Sequence, residues 1–234
     1  MTDERAALAS GDAQRRIYRS DPAAPTAAVL GEEFDRLARR VYLGVRDGAA
    51  IREAAFDMAC LLKDSGPADP VVEELAEVAI AGTDRERLVE LSRQVLAQRF
   101  EPGFDLEPGW LTTLEEALDA VAADMQATGL PGPVRLVARE WASPARLFLD
   151  YQGGYGSSNG IAPADGSGSL RALVTVADEV QDAVMESSRE AWPVCPSHRL
   201  GTHAQERDEV AVWWCNGDGG HVVAAIGKWR SPSD

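Results

Sequence analysis

One 27-residue window holds all three histidines of the chain (His198, His203 and His221) and two of its three cysteines, Cys195 and Cys215. No other feature restricts the fold as strongly. Thiolate and imidazole are the donors that a borderline-soft Zn2+ ion takes at four tetrahedral corners. The order is Cys195-Pro196-Ser197-His198, then sixteen residues, Cys215, five residues and His221. A Cys and a His with two residues between them offer two ligands from one tight knuckle. Sixteen residues suffice for a hairpin that returns the chain to the same point, with 210–214 as its second arm. The stretch Asn216-Gly217-Asp218-Gly219-Gly220 makes the second half wider, and its three glycines permit the backbone angles a wide turn needs. The expected site is therefore Cys195, His198, Cys215 and His221, with His203 able to replace either histidine. The plainer alternative makes the two cysteines small core residues and the histidines exposed polar ones.

Such a zinc ion is expected to hold structure. A catalytic zinc keeps one position open to water and a general base beside it. Glu206, Asp208 and Glu209 are nearby, but none sits in a His-Glu-x-x-His helix or a His-x-Glu…Pro-Cys-x-x-Cys arrangement. A tail of about 45 residues is also too small to bury an adequate core unaided, so metal ligation would supply the missing free energy. Four of the six tryptophans (Trp192, Trp213, Trp214 and Trp229) fall in the same tail. Trp213 and Trp214, adjacent on a strand, must point to opposite faces, and the outward one is expected to pack on the preceding helix, the alternative being a part in a binding surface.

Upstream, residues 1–30 read as a flexible leader without sustained period. Residues 31–107 read as a helical domain. Phe34, Leu37, Ala38, Val41, Tyr42 and Val45 form one apolar stripe, and shorter stripes follow over 50–63, after Asp69-Pro70, and after Thr83. The segment 100–110 reads as a connector. Residues 108–190 read as an α/β unit. Thr112 and Glu115 suggest a capping box for a helix burying Leu114, Leu118, Val121 and Met125. Two β-rich runs, 134–140 and 146–151, flank Ala142-Ser143-Pro144 as a hairpin. The glycine- and serine-rich stretch 152–169 reads as a mobile loop, and 170–188 as a helix with Leu173, Ala177, Val180 and Val184 inward. Residues 191–234 complete the chain as a zinc-ribbon-like β module. The fold class is thus α+β: a helical domain, a helix–β-hairpin–helix unit and a ribbon.

Other chemistry finds little support. The run 153–160 is rich in glycine, but no lysine follows and no helix begins at once, so a phosphate-binding loop fails. No Gly-x-Ser-x-Gly elbow accompanies the histidines. Paired acids such as Glu32-Glu33, Glu73-Glu74 and Glu115-Glu116 sit at helix starts, where they complement the helix dipole. Cys60 reads as a core residue. A formal net charge of −15, from 38 acids against 23 bases, disfavours nucleic-acid backbones and anionic lipid. The opening residues lack the apolar run of a signal peptide and no stretch is apolar enough to span a membrane, which leads to an expectation of a cytoplasmic protein.

At Trp192-Pro193-Val194-Cys195-Pro196-Ser197-His198, Ala211-Val212-Trp213-Trp214-Cys215, Gly220-His221 and Ala225-Ile226-Gly227, the chain resembles the C-terminal ends of uncharacterised small proteins of high-GC Gram-positive bacteria. These carry a Trp-Pro-x-Cys-Pro-x-His, Trp-x-Cys, Gly-His and Ala-x-Ile-Gly series after a long acidic helix. The resemblance covers about 60 residues and implies a small ribbon-like module joined to an α/β element. It implies no activity.

The functional expectation is a non-enzymatic acidic binding or adaptor protein, of the inhibitor or immunity type, acting on a basic protein partner. One alternative is a zinc-dependent hydrolase or deaminase that uses Cys195, Cys215 and one or two histidines, with Glu206 as base. Another is a ribbon that binds nucleic acid through Arg199, Arg207, Lys228 and Arg230.

Overall fold

The computed structural model describes residues 27–67, 69–130, 132–139, 146–155 and 159–230. Among them the chain is mixed α+β, with six α-helices and two three-stranded antiparallel sheets. Most of the leader and the hairpin connection at Ala142-Ser143-Pro144 lie outside the described residues.

The apolar stripes form the helices they predict. α1 (Ala27–Arg46) begins four residues inside the expected leader. α2 (Arg52–Ser65), α3 (Pro70–Ala81) and α4 (Arg85–Arg99) follow. Asp69 and Asp84 cap α3 and α4, accepting from the Val71 and Arg87 amides at 3.0 and 2.9 Å. These contacts satisfy amides that the first helical turn leaves unpaired. Gly82, with φ of 66°, ends α3 in the left-handed conformation that glycine adopts without strain. Leu37, Val41, Met58, Leu75, Leu91 and Val95 lie in one buried apolar cluster contributed by all four helices. The connector is tied to α1 by polar contacts: Tyr42 Oη donates to Glu107 at 2.8 Å, and Arg46 donates to the Leu106 carbonyl at 2.7 Å.

α5 (Pro108–Ala127) starts a turn earlier than the expected capping box. Proline at the first helical position lacks the amide that would go unpaired there and has its φ preset, so Pro108 starts the helix and Thr112 lies inside it. β1 (Val134–Ala138) and β2 (Leu147–Tyr151) pair antiparallel with Leu136 opposite Leu149, and β3 (Gly154–Tyr155) adds a short edge. The glycine- and serine-rich stretch is not simply a mobile loop. Besides β3, it contains Ile161, 1% exposed and bridged to Leu147, and a short 3-10 helix at Pro163–Ser167. Gly166 explains the attachment: a Cβ there would come within 2.3 Å of the Trp110 carbonyl, so only glycine lets this turn lie against α5.

α6 (Ser169–Ser188) packs on α5, and the tail forms the second sheet: β4 (His203–Arg207), β5 (Val210–Cys215) and β6 (His221–Ala225) in that order. This sheet has no separate core. Trp192, Ala211, Trp213, Ile226 and Trp229 belong to the same buried cluster as Leu114 and Val121 of α5 and Val176 and Val180 of α6. Shared burial therefore supplies stabilisation that the sequence reading assigned to metal alone. No described helix is long and apolar enough to cross a membrane.

Candidate metal centre

Two polar side chains at core-facing helix positions fix the tail before any ligand is considered. Asp124 of α5 is 1% exposed. It accepts from Trp213 Nε1 at 2.7 Å and from the Gly227 and Trp229 amides at 2.7 and 2.8 Å, three donors gathered on one carboxylate. Gln181 of α6 donates to the Trp192 and Thr202 carbonyls at 2.6 and 2.5 Å, clamping both ends of the segment that carries Cys195 and His198. Thr202 closes that segment by donating its amide and hydroxyl to the Pro193 carbonyl at 2.9 and 3.1 Å. Each buried group is satisfied, as burial demands.

The first knuckle is a tight turn. The Cys195 amide donates to the Leu200 carbonyl and the Arg199 amide to the Cys195 carbonyl, both at 2.8 Å. Arg199, with φ of 56°, takes the left-handed turn position. This curls the backbone around the Cys195 sulfur, so the Ser197 and His198 amides point at it. The second knuckle begins where β5 delivers Cys215, whose sulfur accepts from the Gly217 amide at 3.4 Å. β6 then returns His221 opposite Cys215 in register. Glycine is required at 217, because a Cβ would stand 2.6 Å from Cγ of His198.

The outcome is one cluster: single ligand atoms of Cys195, His198, Cys215 and His221 all lie within 4.8 Å of one another. The two cysteines are buried and the two histidines half-buried. The sulfur–nitrogen separations are 3.7 Å for Cys195 to His198 Nδ1, 3.4 Å for Cys215 to His198 Nδ1 and 3.5 Å for Cys195 to His221 Nε2. Zinc bond lengths of about 2.3 Å to sulfur and about 2.0–2.1 Å to nitrogen make the S···N edge of a tetrahedron about 3.6 Å. The three distances bracket that edge, so the four are close enough to hold one metal ion.

The electrostatics suit a cation. Burial pushes the Cys195 thiol up, but the His198 and Ser197 amides, with the Cys215 and His198 side chains, outweigh it and bring the group down to about 6. The Gly217 amide pulls the Cys215 thiol down; burial and the neighbouring Cys195 sulfur outweigh it and leave that thiol raised. His198 is raised, first by Cys195 and then by Asp218. One sulfur thus carries negative charge readily, and a divalent ion would favour deprotonation of the second.

His203 stands outside this cluster. It lies exposed on β4 opposite Trp214, and among the described residues it does not join the ligand group. Glu206 is exposed on the same strand and also outside the group. Trp213 is the inward tryptophan. Trp214 is half-buried, and the Arg207 guanidinium lies 4.4 Å from its ring centre. A bulge between Trp213 and Trp214 interrupts the pairing of β5 with β6.

Asp124, Gln181 and Asp218 went unnoticed in the sequence. For the first two a signal existed, since each is a polar residue on its helix's apolar stripe, Asp124 three after Val121 and Gln181 four after Ala177. Asp218 offered only its place among glycines. No protein-family model, curated protein or solved structure matches the chain.

Proposed function

We propose that Cys195, His198, Cys215 and His221 bind one structural Zn2+ ion in a zinc-ribbon-like tail. In this reading the chain is a non-enzymatic binding or adaptor protein, of the inhibitor or immunity type, with a basic protein partner. The observation that carries the zinc reading is the set of three sulfur–nitrogen separations, 3.4, 3.5 and 3.7 Å, which match a tetrahedral edge. Four protein donors of the right softness fill the shell, which favours a structural over a catalytic ion, because a hydrolase or deaminase needs one position left for water. Glu206 lies outside the ligand group, which weakens its candidacy as a general base.

Two features support the binding role. The net charge of −15 favours encounter with a cationic surface. Val194, Leu200, Val210 and Val222 expose between 39 and 49% of their surface on the tail, and Val222 pairs with the half-buried Trp214. Apolar side chains rimmed by charge are the usual makings of a docking surface.

Cobalt substitution tests the metal. Co2+ added to metal-free protein should give the intense visible bands of tetrahedral thiolate coordination at one equivalent, and Cys215→Ser should abolish or strongly weaken them. Spectra typical of octahedral oxygen ligation would contradict the reading. For the partner, affinity capture at physiological salt should recover a basic protein that elutes as salt rises and is lost with Val222→Asp. Recovery of nucleic acid instead would replace the protein partner with the ribbon's other expected role.

A further inference from the structure

We propose that Asp218 is the outer partner of this metal centre: its carboxylate accepts a hydrogen bond from the Nε2–H of His198 and so commits the Nδ1 lone pair of that ring to the ion. The inference rests on the metal reading above and adds a positioning residue to it. The geometry supplies the first argument. His198 Nε2 lies 3.1 Å from Asp218 Oδ2, while Nδ1 of the same ring faces both sulfurs, at 3.7 and 3.4 Å. A neutral imidazole has one protonated and one lone-pair nitrogen, so a carboxylate that accepts from Nε2 leaves the lone pair at Nδ1. Ligating histidines commonly have such an outer acceptor, which fixes both tautomer and ring orientation.

The backbone supplies the second. Asp218 has φ of 47° and ψ of 50°, the left-handed region, with Gly217 before it and Gly219 after it. Glycine would occupy that position at lower conformational cost, and the Asp218 side chain is 91% exposed, so packing gives no reason for it. Its one hydrogen-bond or ion-pair contact among the described residues is His198. The ring is gripped from a second side by the Gly217 backbone, which approaches too closely to admit a Cβ. His221 presents the opposite nitrogen, Nε2, to the Cys195 sulfur. The two imidazoles thus face the site through different atoms, and Asp218 accounts for His198 using Nδ1.

Asp218→Gly separates this role from a merely structural one, since it removes the carboxylate and also relieves the left-handed backbone. The full-length chain is loaded with zinc and titrated against a chromophoric chelator, with the metal-free thermal midpoint measured alongside. The expected result is zinc affinity about 10–100-fold weaker, with a metal-free midpoint equal to or above that of the unaltered chain. Asp218→Asn should weaken zinc in the same direction. Long-range 1H–15N spectra of the zinc-loaded chain should show His198 protonated at Nε2 and metallated at Nδ1. Affinity within twofold of the unaltered chain in Asp218→Gly, or His198 metallated at Nε2, would overturn the Asp218 role while leaving the zinc site standing. Failure of the unaltered chain to bind zinc would overturn both.

Discussion

The two halves of this protein reach a buried core by different means. In the helical bundle of α1 to α4, the buried cluster is aliphatic, and Ser92 is the one buried polar side chain among its described residues. The unit built on α5, α6 and the tail sheet buries Asp124, Gln181 and Thr202, and each of these has hydrogen-bond partners. The bundle is specified by periodicity and volume, which many sequences satisfy. The tail is specified by a few polar groups, each of which must meet its partner, and the four metal-ligand candidates extend the same principle. A single error should therefore loosen the bundle by degrees but misplace the tail outright.

The largest effect expected is from Asp124→Ala. Three N–H donors, two of them in buried contacts, would lose their acceptor at once, for a cost of about 3–5 kcal/mol. Denaturant unfolding followed by tryptophan fluorescence should report that loss, and metal affinity should fall with it as the tail loosens. Leu91→Ala, at a fully buried bundle position, should cost about 2–5 kcal/mol. Its zinc stoichiometry should nevertheless match that of the unaltered chain, and a drop would mean that the halves are more strongly coupled than their separate clusters imply. Ser92→Ala has the opposite sign. The Ser92 hydroxyl is buried and has no hydrogen-bond partner among the described residues, so removing it should stabilise the bundle by about 1 kcal/mol, read as a raised midpoint in urea.

The halves also differ in the sign of their pH dependence. The Tyr42 phenol is pushed up to about 12, first by burial and then by its hydrogen bond to Glu107. Its contribution is whole below pH 10 and disappears as pH rises toward 12, and Tyr42→Phe should flatten that decline in the bundle. Despite burial, the knuckle amides lower the Cys195 thiol from 9.0 to about 6. In metal-free protein its contribution is present above pH 9 and is lost as pH falls through 6, so the tail should weaken in acid. Hydrogen exchange measured across both pH ranges should find the two slopes in different segments, and Cys195→Ser should remove the acid one.

These differences also govern what could be read from the sequence. The stripes Phe34 to Val45 and Val71 to Val78 form helices because a 3.6-residue period is a local property. The knuckles were legible because ligand spacing is local too, and Cys195, His198, Cys215 and His221 meet as their order suggests. The start of α5 was misplaced because Thr112 and Glu115 imitate a cap that Pro108 pre-empts. The stretch 152–169 looked like a linker by composition, yet Ile161 and Gly166 attach it to β2 and α5. Asp124 is 103 residues from Gly227, and Gln181 is 21 from Thr202. No window of sequence displays such a pairing, and neither does the left-handed turn that brings Asp218 to His198.

In the proposed site, two thiols and two imidazoles close around one ion. Native mass spectrometry of the full-length chain, purified without added chelator, tests it most directly. The expected result is a mass increment of one zinc ion with displacement of two protons, retained in His203→Ala and lost in Cys195→Ser. A metal-free mass in zinc-replete buffer, with Cys195 and Cys215 both alkylated at the rate of free thiols, would contradict it.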